Sequence, residues 1–254
     1  MRLAHPDRGA AQALAALDAA GLGRGCVLSP GYRRAPACQA APCAAQRGWT
    51  QAMNDWTLAQ AASAPSRLLL FCGVPLSAPW APSEVARCAQ AGGRGLKLHP
   101  VSEGLSLRQP ATAERLERVL KAAAAAKLPV LIHVDMASAD EVKALFALAG
   151  AVPTAQVIAA HQIAPNLALL PQAPPNVWTE LSGLTLLPPA AVPAFVAVWR
   201  AFGVQRILLG SDWPTLNLTP KAHVARLREA PLSAQELERI VDGNGQRLLP
   251  GPQP

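Results

Sequence analysis

The stretch RILLGSDWP, residues 206–214, runs three apolar residues, Ile207 to Leu209, into Gly210, Ser211 and a carboxylate, Asp212. An apolar triplet closed by glycine and serine reads as a short buried strand that stops just before Asp212. In parallel α/β proteins the carboxyl ends of strands open onto one shared mouth, so a side chain placed there faces a common ligand. Ser-Asp also makes turns and helix caps, so the reading depends on whether the rest of the chain repeats the pattern.

Working outward, it does. Apolar runs that read as buried strands occur at 25–29 (GCVLS), 67–74 (RLLLFCGV), 95–99 (GLKLH), 129–134 (PVLIHV), 156–161 (QVIAAH) and 177–182 (VWTELS). Helical patterns lie between them at 10–20, 49–62, 83–91, 113–126, 140–149 and 190–202, and helices at 222–230 and 234–241 close the chain. Strand and helix alternate at a period of roughly 25 to 30 residues, which favours parallel βαβ units over a sandwich or a bundle. The predicted fold is α/β, a TIM-barrel-like (β/α)8 architecture in one domain over 1–254. Seven strands are recognisable. The chain opens on what should be the helix after the first strand, so that strand is missing or degenerate. Residues 33–48, with Pro36, Pro42 and two cysteines, are expected to form a mobile loop.

Composition narrows the class. With 51% hydrophobic residues in 254, the chain can fill a sizeable core. Its best apolar stretch, 119–134, is broken by Lys127 and Pro129, so no membrane span is expected. Asp7, Arg8 and Asp18 interrupt the alanine-rich start, which does not read as a signal peptide. A cytoplasmic protein is therefore expected, with reduced thiols at Cys26, Cys38, Cys43, Cys72 and Cys88, whose spacing contains no CxxC pair. The net charge of +7 is scattered without a basic block, so nucleic acid is not an expected partner and a small molecule is. A homo-oligomer stays open.

Three residues fall in phase with strand ends: His133, His161 and Asp212. Lys97 and His99 close an earlier strand on one shared face. Neutral imidazoles and a carboxylate converging from separate strands can hold a catalytic metal with positions left for water and substrate. Singly, each histidine is as readily a core residue bonded to a backbone carbonyl. His5 precedes the ordered pattern and His223 begins a helix, so both are expected on the surface. Lys97 has three readings of equal weight: a pair with a carboxylate such as Glu180, an anchor for an anionic substrate, or a metal-bridging role. Trp178, Trp213 and the loop from Tyr32 to Arg47 are candidate pocket walls.

The runs GLKLHP at 95–100, PVLIHV at 129–134, VIAAHQ at 157–162, ILLGSDWP at 207–214 and GNGQRLL at 243–249 resemble, in order and spacing, the amidohydrolase-related branch of the amidohydrolase superfamily. That resemblance implies a distorted TIM barrel and a divalent metal, commonly zinc, with manganese as the alternative. It implies that His133 is a metal ligand, that His161 is a ligand or the acid/base, and that Asp212 both binds metal and takes a proton from the attacking water. Lys97, His99 and Trp213 would contact substrate. The implied activity is hydrolysis of a small carboxylated lactone or amide, and decarboxylation within the same family is the alternative.

The sequence departs from that family at its start. An HxH pair on the opening strand is absent, and the nearest approach, His5-Pro6-Asp7, has no apolar strand before it. Either the opening strand lies upstream of the given start, or the site is naturally incomplete and the chain is a non-catalytic remnant.

Overall fold

The computed structural model describes residues 9–38, 43–215 and 218–249; His5 and the other residues of the opening run lie outside them. The first helix, α1 (Ala10–Ala20), starts where the Gln12 side chain accepts the Gly9 N–H at 2.8 Å, and ends at Gly21, which takes φ 68°. Glycine adopts that left-handed turn without a Cβ clash, so the chain reverses directly into β1 (Gly25–Leu28). The remaining strands are β2 (Leu68–Gly73), β3 (Gly95–Leu98), β4 (Val130–Ile132), β5 (Val157–Ala159), β6 (Val177–Glu180) and β7 (Ile207–Leu208). All are parallel and pair in chain order from β1 to β7. The helices α2 (Ala45–Ala62), α3 (Ala81–Gln90), α4 (Pro110–Ala125), α5 (Ala139–Ala151), α6 (Val192–Phe202) and α7 (Pro220–Arg228) return the chain between strands or follow the last one. A closing segment then carries α8 (Ala234–Glu238), a π-helical turn (Arg239–Gly243) and α9 (Asn244–Leu248).

The continuous apolar runs of these strands are buried on both faces, as parallel sheets require. Val27, Leu68, Leu70, Leu96, Val130 and Val157 face the helices in the main core. Their alternating neighbours Leu28, Leu69, Phe71, Leu131, Ile158 and Trp178 make a second apolar cluster on the concave side. The sheet curls but is not closed: among the described residues β7 does not pair with β1. The helices nevertheless meet across that opening, because α1 packs against α7. The closing segment blunts β7 from the other side. The Leu209 N–H donates to the Ile240 carbonyl at 3.0 Å, and the Asn244 amide donates to the Val204 and Ile207 carbonyls at 2.7 Å each.

Two expectations are corrected here. The segment 33–48 is less a mobile loop than expected. Helix α2 already starts at Ala45, and Gln46 ties the segment together by bonding the Ala35 N–H and the Arg33 carbonyl, each at 2.9 Å. Residues 39–42 lie outside the described residues. The thiols are not all free either: Cys38 pairs with Cys43, and Cys72 on β2 pairs with Cys88 on α3, leaving Cys26 as a thiol. Spacing alone missed the second bridge because a strand and the helix that covers it bring residues sixteen apart face to face. Among the described residues no helix is long and apolar enough to cross a membrane.

Candidate active site

At the carboxyl ends of β4, β5, β6 and β7 the backbone leaves regular strand geometry, and that departure builds the site. His161 and Gln162 have φ 55° and 58°, and Asp212 has φ 48°, left-handed conformations that L side chains seldom adopt. Gln162 is held in its turn by Trp199 of α6, whose indole N–H donates to its side-chain oxygen at 3.0 Å. The kink directs the His161 ring towards His133, with His161 Nε2 2.9 Å from His133 Nδ1. His99 lies flat on the other face of His133, ring centroids 4.1 Å apart, and Tyr32 stacks beyond it at 5.5 Å.

Behind His161 stands a carboxylate that the sequence named only as a partner for Lys97. Glu180, at the end of β6, accepts the backbone N–H groups of His161 and Ser182 at 2.7 Å each, and the Ser182 hydroxyl at 2.8 Å. Ser182 Oγ also contacts His161 Nδ1. With the hydroxyl proton given to Glu180, Nδ1 is the donor to Ser182, and the neutral ring is left accepting from His133 Nδ1–H at Nε2. Burial by itself would raise the Glu180 carboxyl. The charge that His161 carries when protonated and the hydrogen bonds from His161 and Ser182 outweigh it and hold the group below the usual carboxylate range.

Gly210 is what lets Glu180 sit there, because a Cβ at 210 would lie 1.8 Å from Glu180 Oε2. Ser182, Glu180 and Gly210 were missed as a set; the available signal was an acidic residue inside the apolar run VWTELS and a glycine immediately after ILL.

His161, Glu180, Ser182, Asp212 and the buried Lys97 line a cavity of about 210 Å³ whose walls are Leu28, Leu69, Phe71, Leu131 and Ile158. Thus Lys97, His161 and Asp212 share one cavity. His99 does not reach it: its ring leaves the strand face to stack on His133, and its Nδ1 accepts the Ser102 N–H at 3.2 Å. Trp213 is half-buried beside Asp212 but is not among the cavity walls, whereas Trp178 packs in the concave apolar cluster under Arg247. His223 is also corrected. It is wholly buried in α7 rather than on the surface, because Thr219 caps the helix and accepts from His223 Nδ1 at 3.1 Å. Among the described residues its Nε2 has no partner; burial holds its pKa below the ordinary value, and the hydrogen bond to Thr219 and the charges of Glu180 and Asp212 act against that shift.

Two nitrogens on one tetrahedral ion at 2.0–2.1 Å lie roughly 3.3 Å apart with both lone pairs aimed at the metal. His133 and His161 are closer than that and their ring nitrogens aim at each other, the geometry of a hydrogen bond rather than of two ligands on one ion. Among the described residues no group of three or more His, Cys, Asp or Glu side chains is arranged to hold a metal. As placed, His133, His161 and Asp212 do not make a metal site.

The amidohydrolase family model matches residues 5–251. The chain belongs to the amidohydrolase family. Solved structures share the fold of this amidohydrolase at low identity. The 2,6-dihydroxybenzoate decarboxylase from Rhizobium is 18% identical, with a TM-score of 0.74 over 97% of this chain and 88% of that one. The 5-carboxyvanillate decarboxylase from Novosphingobium aromaticivorans, complexed with manganese and a nitrobenzoic acid, is 17% identical, with a TM-score of 0.70 over 94% and 79%. A probable 2-pyrone-4,6-dicarboxylic acid hydrolase from Acinetobacter baumannii is 16% identical, with a TM-score of 0.66 over 97% and 91%. No curated protein matches this amidohydrolase.

Proposed function

We propose that the chain is a decarboxylase of a small carboxylated substrate whose reacting carbon belongs to an electron-rich ring or enol, with His161 delivering the proton. The observation that carries this reading is the chain His133–His161–Ser182–Glu180, which opens onto the cavity at His161. Nδ1 of His161 is committed to Ser182, so the Nε2 edge is the one that exchanges protons. Glu180, held ionised, stabilises the imidazolium that forms when Nε2 takes the proton of His133.

The carbon bearing the carboxylate takes the proton from His161. The bond to the carboxylate then breaks, its electron pair returns to the ring or enol, and carbon dioxide leaves. His133, half-exposed, returns a proton to His161 from solvent. The apolar walls favour the step by replacing water around a carboxylate that loses its charge as the bond breaks. The buried ammonium of Lys97 supplies an anchor for a second acidic or hydroxyl group. Decarboxylases among the similar structures support the reading.

One observation favours a second reading, hydrolysis of a lactone or amide: the carboxylate of Asp212 lines the same cavity and would take the proton of an attacking water. The similar pyrone hydrolase is consistent with it. A divalent ion, zinc or manganese, belongs to either reading only if donors beyond the described residues complete the set.

The test is product analysis in D2O with hydroxylated benzoates, unsaturated acids, lactones and amides. Carbon dioxide release, deuterium at the vacated carbon and a loss of at least about 100-fold in His161→Asn are expected. Acid release from lactones or amides without carbon dioxide overturns decarboxylation in favour of hydrolysis. No turnover of either class identifies a non-catalytic member of the family.

A further inference from the structure

His133 is the outer end of the chain through His161, Ser182 and Glu180, half-buried just past β4. The 2.9 Å contact with His161 fixes one of its nitrogens, and the two ring planes meet edge to face at 73°. A hydrogen bond at one ring atom leaves an imidazole able to turn about that contact, because its outer torsion is broad. The flat contact that opposes such turning comes from other elements. His99 covers the second face of the His133 ring with the planes 12° apart, and Tyr32 covers His99 at 11°.

Each ring of this stack is anchored from behind. His99 follows β3 and opens the turn Pro100–Glu103; besides the Ser102 N–H bond to its Nδ1, the Ser102 hydroxyl donates to the His99 carbonyl at 2.8 Å. Tyr32 ends the turn Pro30–Tyr32 after β1 and is 2% exposed. Helix α2 ties that turn to the end of β2. The Thr50 hydroxyl donates to the Gly31 carbonyl at 2.7 Å. The buried Asn54 accepts the Gly73 N–H at 2.9 Å, donates to the Gly73 carbonyl at 3.1 Å, and is itself held by Glu84 of α3 at 2.8 Å. The two backbones lie so close that a Cβ at Gly73 would stand 2.6 Å from the Tyr32 amide nitrogen. Tyr32 therefore has no slack in which to withdraw from His99.

We infer that Tyr32 and His99 are positioning residues, a clamp of stacked rings that holds His133 in the orientation from which it returns a proton to His161. The inference rests on the reading of His133 and His161 as the path by which that proton arrives. Neither Tyr32 nor His99 lines the cavity, so both act on the reaction only through His133. The clamp also selects a tautomer. A His133 ring held in line carries its proton on Nδ1, where it donates to His161 Nε2, whereas an imidazole freed from that contact distributes the proton over both nitrogens.

The test compares His99→Phe, which keeps a flat ring, with His99→Leu, which keeps bulk but no plane, and adds Tyr32→Leu as a second way to open the stack. In the 15N-labelled full chain, imidazole nitrogen shifts should place the His133 proton on Nδ1 in the wild type and in His99→Phe, and spread it over both nitrogens in the two leucine variants. In turnover, kcat should fall at least about tenfold in the leucine variants with KM within about twofold, stay within about threefold of wild type in His99→Phe, and recover when free imidazole is added to the buffer. A His133 proton fixed on Nδ1 in both leucine variants, or not fixed there in the wild type, overturns the clamp whatever the turnover. Equal losses in His99→Phe and His99→Leu overturn it too, since a flat ring would then count for nothing. The expected tautomers in a wild-type protein that turns over no substrate would leave the clamp standing and remove only the reaction assigned to the site.

Discussion

Replacing Gly210 by alanine would test the construction of the site at one atom. The new Cβ would stand 1.8 Å from Glu180 Oε2, 2.9 Å from its Cδ and 3.2 Å from the Ser182 amide nitrogen. The carboxylate has to retreat by more than 1 Å to reach even a tight ~3 Å contact. It is not free to swing away, because it is only 8% exposed and is pinned by the His161 and Ser182 N–H groups and the Ser182 hydroxyl. Hydrogen bonds to a charged group contribute about 1.5–3 kcal/mol each, and losing two with partial recovery in a new position costs about 3 kcal/mol. For a domain of this size that is a fall of roughly 6–12 °C in Tm. Urea and thermal unfolding followed by circular dichroism would measure it. Gly23→Ala is the control, since a Cβ there meets nothing within 4 Å and the change should stay inside about 0.5 kcal/mol. A Gly210→Ala protein as stable as that control would show that Glu180 is not held where the chain through Ser182 and His161 requires it.

Three further outcomes are expected. His223 is neutral in the fold because burial lowers its pKa, so the unfolded chain takes up its proton first; the folded state therefore loses stability as pH falls below about 6.5 towards the lowered value. His223→Phe should flatten that part of the stability–pH curve, and an unchanged slope would refute the burial argument. Cys72→Ser combined with Cys88→Ser should cost about 3 kcal/mol, the size expected for a loop of some sixteen residues, and non-reducing peptide mapping should recover the linked pair; a free Cys72 thiol in the native protein would count against it. After dialysis, elemental analysis should find well under one equivalent of zinc or manganese if the His133–His161 contact is the resting state, because two imidazoles that share a proton must separate before they can bind an ion. Near-stoichiometric metal that disappears in His133→Ala would reverse that conclusion.

The site was half legible before folding. Lys97, His161 and Asp212 meet in the cavity because each ends a strand, and strand ends are local features of hydrophobic pattern and of the glycine, proline and serine that close it. His99 has the same credentials and goes elsewhere, since the backbone turns at the strand end and alternation no longer determines where its ring points. Trp213 follows the same rule beside the left-handed Asp212. Glu180 was legible only as an oddity, a carboxylate in an apolar strand. Its partners come from residues 161 and 182, and the space it fills is left by position 210, just past the next strand.

Sequence alone determined the alternation of strands and helices, the seven parallel strands and the residues at their ends, because burial on both faces of a parallel strand leaves a periodic imprint on the chain. Tertiary structure alone decided that the His133 and His161 rings meet, that Glu180 occupies the space a Gly210 side chain would take, that His223 is buried, and that among the described residues β7 does not pair with β1. Those facts depend on distances between residues twenty to two hundred positions apart, and no local pattern of polarity encodes such distances.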